Sequence, residues 1–189
     1  MSADLAFDLI EIRDAGPAGS GGTLAVLATV AGGSLVGLDL FRSTAAACAA
    51  VPAGAERRPG QSPLPEVRRQ LAEYFAGERR AFALPMAPEG TDFERRVWQA
   101  LAAIPYGETR SYRDIAGAIG RPTACRAVGR ANGRNPIAVV IPCHRVIGSD
   151  GSLTGYGGGL DLKRFLLELE GADRAAGAAP ATPQLALPL

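Results

Sequence analysis

The chain has 189 residues, 47% of them hydrophobic and 21% charged, with a formal net charge of +1. That balance describes one generous folded domain or two small ones and argues against intrinsic disorder. No apolar run approaches the roughly 20 residues of a membrane span, and the first residues carry acids where a secretory leader has a basic segment, so a soluble cytoplasmic protein is expected.

The first forty residues hold β-like runs at 5–12, 24–30 and 35–40 between glycine-rich turns. An Ala/Pro/Gly/Arg stretch over 43–63 reads as a loop. Val67, Leu71, Tyr74 and Phe75 then recur at helical spacing and predict a helix over 65–76. Proline and glycine within 84–90 mark the domain boundary. A small α/β domain is therefore expected at 1–88 and a second domain at 89–171.

In that second domain Phe93, Val97, Trp98, Leu101 and Ile104 line one side of a helix that stops at Pro105. Ser111 caps the next helix, with Ile115, Ala116 and Ile119 inward and Gly120 at its end. After Pro122, Thr123 caps a third helix reaching about Asn132. Residues 137–141 form a continuous apolar run suited to a buried strand, which delivers the chain to Pro142-Cys143-His144-Arg145. A hairpin-like stretch at 148–151, a glycine-rich loop at 155–159 and a last helix carrying Leu162, Phe165, Leu166 and Leu169 follow. Two short helices joined by a tight turn and followed by a hairpin outline a winged helix-turn-helix, mainly α in content. The Ala/Pro-rich residues 172–189 read as a disordered tail.

Charge is spread unevenly. Residues 1–90 hold 8 basic and 10 acidic side chains, whereas from Arg110 to Arg145 seven arginines face a single acid, Asp114. Such a stretch is either solvated surface or a phosphate-binding face. Arg126, Arg130 and Arg134 recur every four residues, with Ala127, Gly129 and Ala131 between them. The first two share a helix face able to approach phosphates in a groove, while Gly133 can end the helix before the third.

Cys48, Cys125 and Cys143 are widely spaced, form no Cys-x-x-Cys pair and share the chain with one histidine, His144. Neither a disulfide framework nor a metal site is expected from them. Cys143 beside His144 is the strongest local signal for chemistry. A thiolate is the reactive form of cysteine, and Arg145 next in the chain predicts an electropositive setting that favours it. Neighbouring side chains on an extended segment point to opposite sides, so a bridging water is expected between thiol and imidazole. An acid that orients the imidazole would complete an activated nucleophile, and Glu168 and Glu170 are both candidates.

Over 91–171 these residues resemble the O6-alkylguanine-DNA alkyltransferase family. The resemblance is carried by Thr91-Asp92-Phe93, Val97-Trp98, Ile104-Pro105-Tyr106-Gly107, Ser111-Tyr112, Arg126-Ala127-Val128-Gly129, Asn132 and Asn135-Pro136. It continues through Ile141-Pro142-Cys143-His144-Arg145-Val146-Ile147-Gly148, Thr154-Gly155-Tyr156, Gly158-Gly159 and Leu166-Leu167. The first ninety residues resemble the family's smaller, ribonuclease-H-like α/β domain more loosely.

The resemblance implies direct-reversal DNA repair. A methyl or other alkyl group would pass from O6 of guanine, or O4 of thymine, in duplex DNA to Cys143, in one turnover that consumes the protein. It implies no cofactor, and no zinc, because the N-terminal Cys and His ligands of zinc-bearing members are missing here. By the same resemblance Cys143 is the alkyl acceptor, His144 the water-mediated base, Glu170 the acid orienting it and Asn135 a brace of the turn. Tyr112 would crowd the DNA backbone and bond the flipped guanine. Arg126 would fill the vacated space from the minor groove, a known device for base extrusion, with Ala127, Arg130 and Arg134 alongside. Arg113, Arg121 and Ser149 fall at further DNA contacts, and Val146, Tyr156, Gly157 and Gly158 at the wall of the guanine pocket.

The last residues, Gln184-Leu185-Ala186-Leu187-Pro188-Leu189, are similar to the peptide with which bacterial repair and replication proteins dock on the sliding clamp. Gln184, Leu185, Leu187 and Leu189 would make the contacts from a flexible tether. A monomer is expected in solution. Three other readings compete: a binding-only relative, which lacks the acceptor cysteine and is disfavoured by Cys143; a sequence-specific winged-helix regulator; and a cysteine hydrolase that turns over repeatedly.

Overall fold

The computed structural model describes residues 5–13 and 22–172. The chain divides into two units, residues up to Pro88 with Pro136–Ala138, and Glu89–Asn135 with the residues from Val139 onward. Among the described residues no helix is long and apolar enough to cross a membrane.

The first unit is built on a mixed sheet. Strands β1 (Ala6–Ile12), β2 (Leu24–Ala31) and β3 (Ser34–Phe41) form an antiparallel meander, and β4 (Glu56–Arg57) joins β1 in parallel, giving the order β3-β2-β1-β4. β1 alternates buried and partly exposed residues, as a strand with one covered face must, while β2 is buried along nearly its whole length. Helix α2 (Leu64–Phe75) buries Leu64, Val67, Leu71 and Tyr74 as one stripe, the spacing its sequence predicts. Gln70 on the same face closes the unit by bonding both backbone groups of Ala83.

The stretch 43–63, expected to be a loop, contains α1 (Thr44–Ala49) as well as β4. Ser43 caps α1 by accepting from Ala46 N at 3.2 Å, and the alanines behind it have the highest helix propensity, which outweighs the loop-like composition. The outer edge of β3 is covered by two short segments. Leu35 exchanges backbone bonds with Pro85 and Ala87, and Leu38 with Pro136 and Ala138, so the edge offers few free groups for adventitious pairing.

The second unit is mainly helical. Helix α3 (Asp92–Ala102) starts with a capping box between Thr91 and Glu94 and buries Val97, Trp98 and Leu101. It ends before Ile104 rather than at Pro105, because the residue ahead of a proline is disfavoured in helical geometry. Trp98 Nε1 donates to Ala131 O at 2.9 Å, tying α3 to α5 (Cys125–Gly133). A β-carbon on Gly90 would lie 2.5 Å from the Trp98 ring. Gly90→Ala should therefore cost about 1–3 kcal/mol by overpacking, read as a lower urea midpoint at unchanged m-value.

Ser111 caps α4 (Tyr112–Ala118) in a second capping box with Asp114, and Gly120, at φ +69°, turns the chain out of it. Thr123, expected to cap α5, does not. Residues 121–124 close a turn through Ala124 N to Arg121 O at 2.8 Å, and α5 begins behind Ala124 with no side-chain cap. Pro122 in the second position of that turn has the φ it requires.

Two further expectations are corrected here. Residues 137–141 are buried except for half-buried Ala138, but they do not form a strand. Ile137 is held by the β3 edge, and Val139, at φ +69°, turns the chain immediately afterwards. The stretch 148–151 is a turn closed by Gly148 N to Ser152 O and Gly151 N to Gly148 O, not a strand pair. The second unit's small sheet is instead parallel, between β5 (Arg110–Ser111) and β6 (Val146–Ile147). Helix α6 (Leu160–Leu169) packs Leu162, Leu166 and Leu167 inward and is followed by Gly171 at φ +70°.

Candidate active site

Pro142 has no N–H to give, and the chain after it coils into a single 3-10 turn, Cys143–Arg145, closed by Arg145 N to Pro142 O at 3.0 Å. This corrects the extended geometry expected of the Cys-His pair. All three residues are buried, His144 completely. Two asparagines brace the turn from behind. Asn135 Nδ2 donates to Ile141 O at 2.8 Å and its side chain bonds the Cys143 thiol, while Asn132 Nδ2 reaches Cys143 O at 3.4 Å.

The acid at the end of α6 is Glu170, not Glu168. Glu170 is buried and Glu168 exposed, because only one of two residues two apart on a helix end can face the core. Glu170 Oε1 lies 3.0 Å from His144 Nε2, and the carboxylate accepts from Arg145 Nε at 2.8 Å and Arg145 Nη2 at 2.9 Å. Burial alone would raise its pKa, but the bonds and charges of His144 and Arg145 hold the carboxyl far below the usual carboxylate range. A carboxylate held ionised can only accept, so His144 Nε2 carries its proton and Nδ1 is the bare acceptor. Burial lowers the imidazole pKa despite Glu170, which keeps the ring neutral.

Arg145 has a different role from the one its position suggested. Its guanidinium turns away to Glu170 and Ile104 O and lies 5.9 Å from the Tyr106 ring centre. The cation that acts on the thiol is Lys163, which the sequence reading missed. Lys163 is fully buried on the inner face of α6 and donates to Val146 O and, at 2.8 Å, to Thr154 O. Desolvation lowers its pKa to about 8, partly offset by Cys143. Its signal was a lysine inside the apolar stripe of a helix, where a cation is rarely buried unpaired. Burial pushes the Cys143 thiol above its ordinary value, with Asn135 and Lys163 pulling the other way. The resting thiol is therefore protonated at neutral pH and needs a proton acceptor.

Glycines let this network close. Gly107, at φ +79°, offers its N–H to Glu170 Oε2 at 3.3 Å, and a β-carbon there would press on Glu170 O at 3.0 Å. A β-carbon on Gly158 would lie 2.6 Å from Leu162 and 3.2 Å from Tyr156, so the loop before α6 needs glycine to lie against the helix.

The other singled-out residues are placed as follows. Tyr112 opens α4, rests its ring against Gly129 of α5 and donates from its hydroxyl to Thr154 O at 3.4 Å. Arg126 and Arg130 are exposed on α5, opposite buried Val128, Ala131 and Asn132, with Ala127 half-buried. Arg134 departs from that face. It caps the helix end and pairs with Glu94 of α3 at 3.1 Å. Arg113, Arg121 and Ser149 are exposed. Val146 is buried, Tyr156 and Gly158 half-buried, and Gly157 exposed. Gln184, Leu185, Leu187 and Leu189 lie outside the described residues. No group of three or more metal-capable side chains gathers among the described residues.

A buried thiol followed in the chain by an imidazole that meets an ionised carboxylate, in a unit whose helix α5 exposes arginines, is an arrangement that can work as a cysteine nucleophile. Comparison with known proteins makes the class specific. Residues 92–172 match the DNA binding domain, and residues 21–88 the ribonuclease-like domain, of 6-O-methylguanine DNA methyltransferase. The chain belongs to the 6-O-methylguanine DNA methyltransferase family.

Among its relatives, a methylated-DNA–protein-cysteine methyltransferase of Methanosarcina barkeri is 66% identical over 105 residues, covering 56% of this chain and 66% of the relative. The constitutive methylated-DNA–protein-cysteine methyltransferase of Bacillus subtilis is 57% identical over 108 residues, covering 57% and 66%. The matched stretch thus spans just under two thirds of these relatives' length. The crystal structure of Mycobacterium tuberculosis OGT in complex with DNA superimposes with a TM-score of 0.73 at 45% identity, covering 88% of this chain and 93% of that one.

Proposed function

We propose that this chain repairs DNA by direct reversal, moving a methyl or other alkyl group from O6 of guanine, and from O4 of thymine, in duplex DNA onto Cys143. The observation that carries the reading is the buried link from His144 Nε2 to ionised Glu170, which leaves Nδ1 as the bare acceptor of the residue that follows the protonated Cys143. Membership of the family, and the names of its methyltransferase relatives, support the substrate.

In this reading His144 takes the thiol proton through a water molecule. The thiolate attacks the alkyl carbon, the S–C bond forms and the C–O6 bond breaks. The released guanine anion takes up one proton and regains its carbonyl. A thioether is not readily hydrolysed, so each protein acts once, without cofactor or metal. Cys143, His144, Glu170, Asn135 and Tyr112 form the catalytic set, and Val146, Tyr156, Gly157 and Gly158 receive the flipped base.

Arg126 fills the gap left in the duplex, with Tyr112, Arg113, Arg121, Ala127, Arg130 and Ser149 on the minor-groove face. Arg134 contributes there only if it gives up Glu94. On this reading residues 1–88 are a ribonuclease-H-like domain, 89–171 a winged helix-turn-helix domain and 172–189 a tail whose last residues dock on a sliding clamp. The protein works as a cytoplasmic monomer.

The test is intact-protein mass after incubation with a duplex carrying one O6-methylguanine. Wild type should gain one methyl and saturate there, and Cys143→Ser should gain none. Binding without a mass change would make the chain a lesion sensor instead.

A further inference from the structure

We propose that Asn132 is a positioning residue for thiol activation: its carboxamide oxygen and His144 Nδ1 together hold the water molecule through which Cys143 gives up its proton. The reaction it serves is the alkyl transfer proposed above, but the geometry stands independently of the substrate.

Among the described residues, only two buried side-chain nitrogen or oxygen atoms have no hydrogen-bond partner, Asn132 Oδ1 and His144 Nδ1. Leaving such an atom unpaired costs about 1–3 kcal/mol, and buried polar atoms that lack a protein partner are ordinarily served by ordered water. Both belong to residues at the nucleophile. His144 follows Cys143 in the turn, and Asn132, on the buried face of α5, donates from Nδ2 to Cys143 O.

The hydrogen-bond chemistry fixes the direction of each group. A carbonyl oxygen can only accept, so Asn132 must present its NH₂ to Cys143 O and is left with Oδ1. Ionised Glu170 likewise holds the proton of His144 on Nε2, which leaves Nδ1 bare. The two orphans are thus both acceptors. One water molecule has two hydrogens to give, so serving both leaves its oxygen lone pairs for the thiol. Asn132 thereby sets which way the water faces.

The nearby cations act on the site by charge, and their hydrogen bonds go to other groups. Arg145 gives its donors to Glu170 and Ile104 O, and Lys163 donates to Val146 O and Thr154 O. Proton balance is simple. The Cys143 S–H bond breaks, its proton joins the water oxygen, and the hydrogen the water was giving to His144 completes its transfer to Nδ1. The products are a thiolate, an imidazolium facing Glu170 and a regenerated water still held by Asn132.

The test uses Asn132→Leu in a background with Cys48 and Cys125 replaced by serine, and follows alkylation of Cys143 by iodoacetamide across pH by intact mass. The expected loss is about ten-fold at pH 7, a fraction of the 10²–10⁴ a general base supplies. It should shrink as pH rises and vanish once solvent alone takes the proton of the buried thiol, whose titration burial has pushed upward. A loss of equal size at every pH would mean a purely structural role, and no loss would mean none; either overturns the proposal. Methyl transfer from O6-methylguanine duplex is measured in parallel. If wild type itself transfers nothing, the alkyl-transfer reading fails while the iodoacetamide profile still judges Asn132. Should Asn132→Leu not fold, a high-resolution crystal structure of the wild type decides: water density within about 3.2 Å of both Oδ1 and Nδ1 is expected, and density at neither overturns the proposal.

Discussion

Glu170→Gln should lower the unfolding free energy by about 3–5 kcal/mol, the cost of leaving a buried charge without its partner. Glu170 receives two donors of Arg145, the N–H of His144 Nε2 and the backbone N–H of Gly107, all inside the second unit. A glutamine of the same shape sets an NH₂ against some of those donors and strands the Arg145 charge. The pH dependence follows from the depressed carboxyl. The unfolded chain binds the Glu170 proton at an ordinary value of about 4.3, the folded chain only at lower pH. The contribution to stability is therefore present above the ordinary value and is lost as pH falls below it. Urea midpoints measured from pH 7 downward should fall steeply for wild type and more shallowly for Glu170→Gln. Matching midpoints and matching acid slopes would show that the ion pair is not stabilising the fold.

His144→Gln should slow methyl transfer at pH 7 by about 10²–10⁴-fold. Burial pushes the Cys143 thiol above its ordinary value and keeps His144 neutral, so at pH 7 the thiol holds its proton and the imidazole is free to take it. Glutamine fills much of the space without serving as a base. The deficit should shrink as pH rises, because solvent then removes the thiol proton without help. Rate profiles of the two proteins should converge at the alkaline end. A deficit that stays constant with pH would assign His144 to packing around Glu170 rather than to proton transfer.

Much of the fold was legible because its signals are local. The β-runs, the stripe of α2, the apolar face of α3 and the cap at Ser111 each follow from residues within one element. Some segments were misread because a neighbour distant in sequence decided, others because local composition misled. Residues 137–141 read as a strand, but the β3 edge takes Ile137 and a turn at Val139 follows. The 43–63 stretch read as loop because its prolines and glycines outnumber the few alanines that make α1.

At the site, Cys143, His144 and the pair Glu168 and Glu170 were visible as residue types. The sequence by itself determined the family, through ordered motifs, and the residue types of the candidate site, one thiol next to the chain's single imidazole. Only the tertiary structure decided the partners. It brings Glu170 from the end of α6 onto His144, turns Arg145 to Glu170 and Ile104 O, and buries Lys163 where its charge acts on the thiol. The physical reason is that adjacency along the chain places a charge nearby but not its direction. Which groups face the thiol is settled by what each can bond once buried, and for Arg145 those bonds come from residues 25 and 41 positions away.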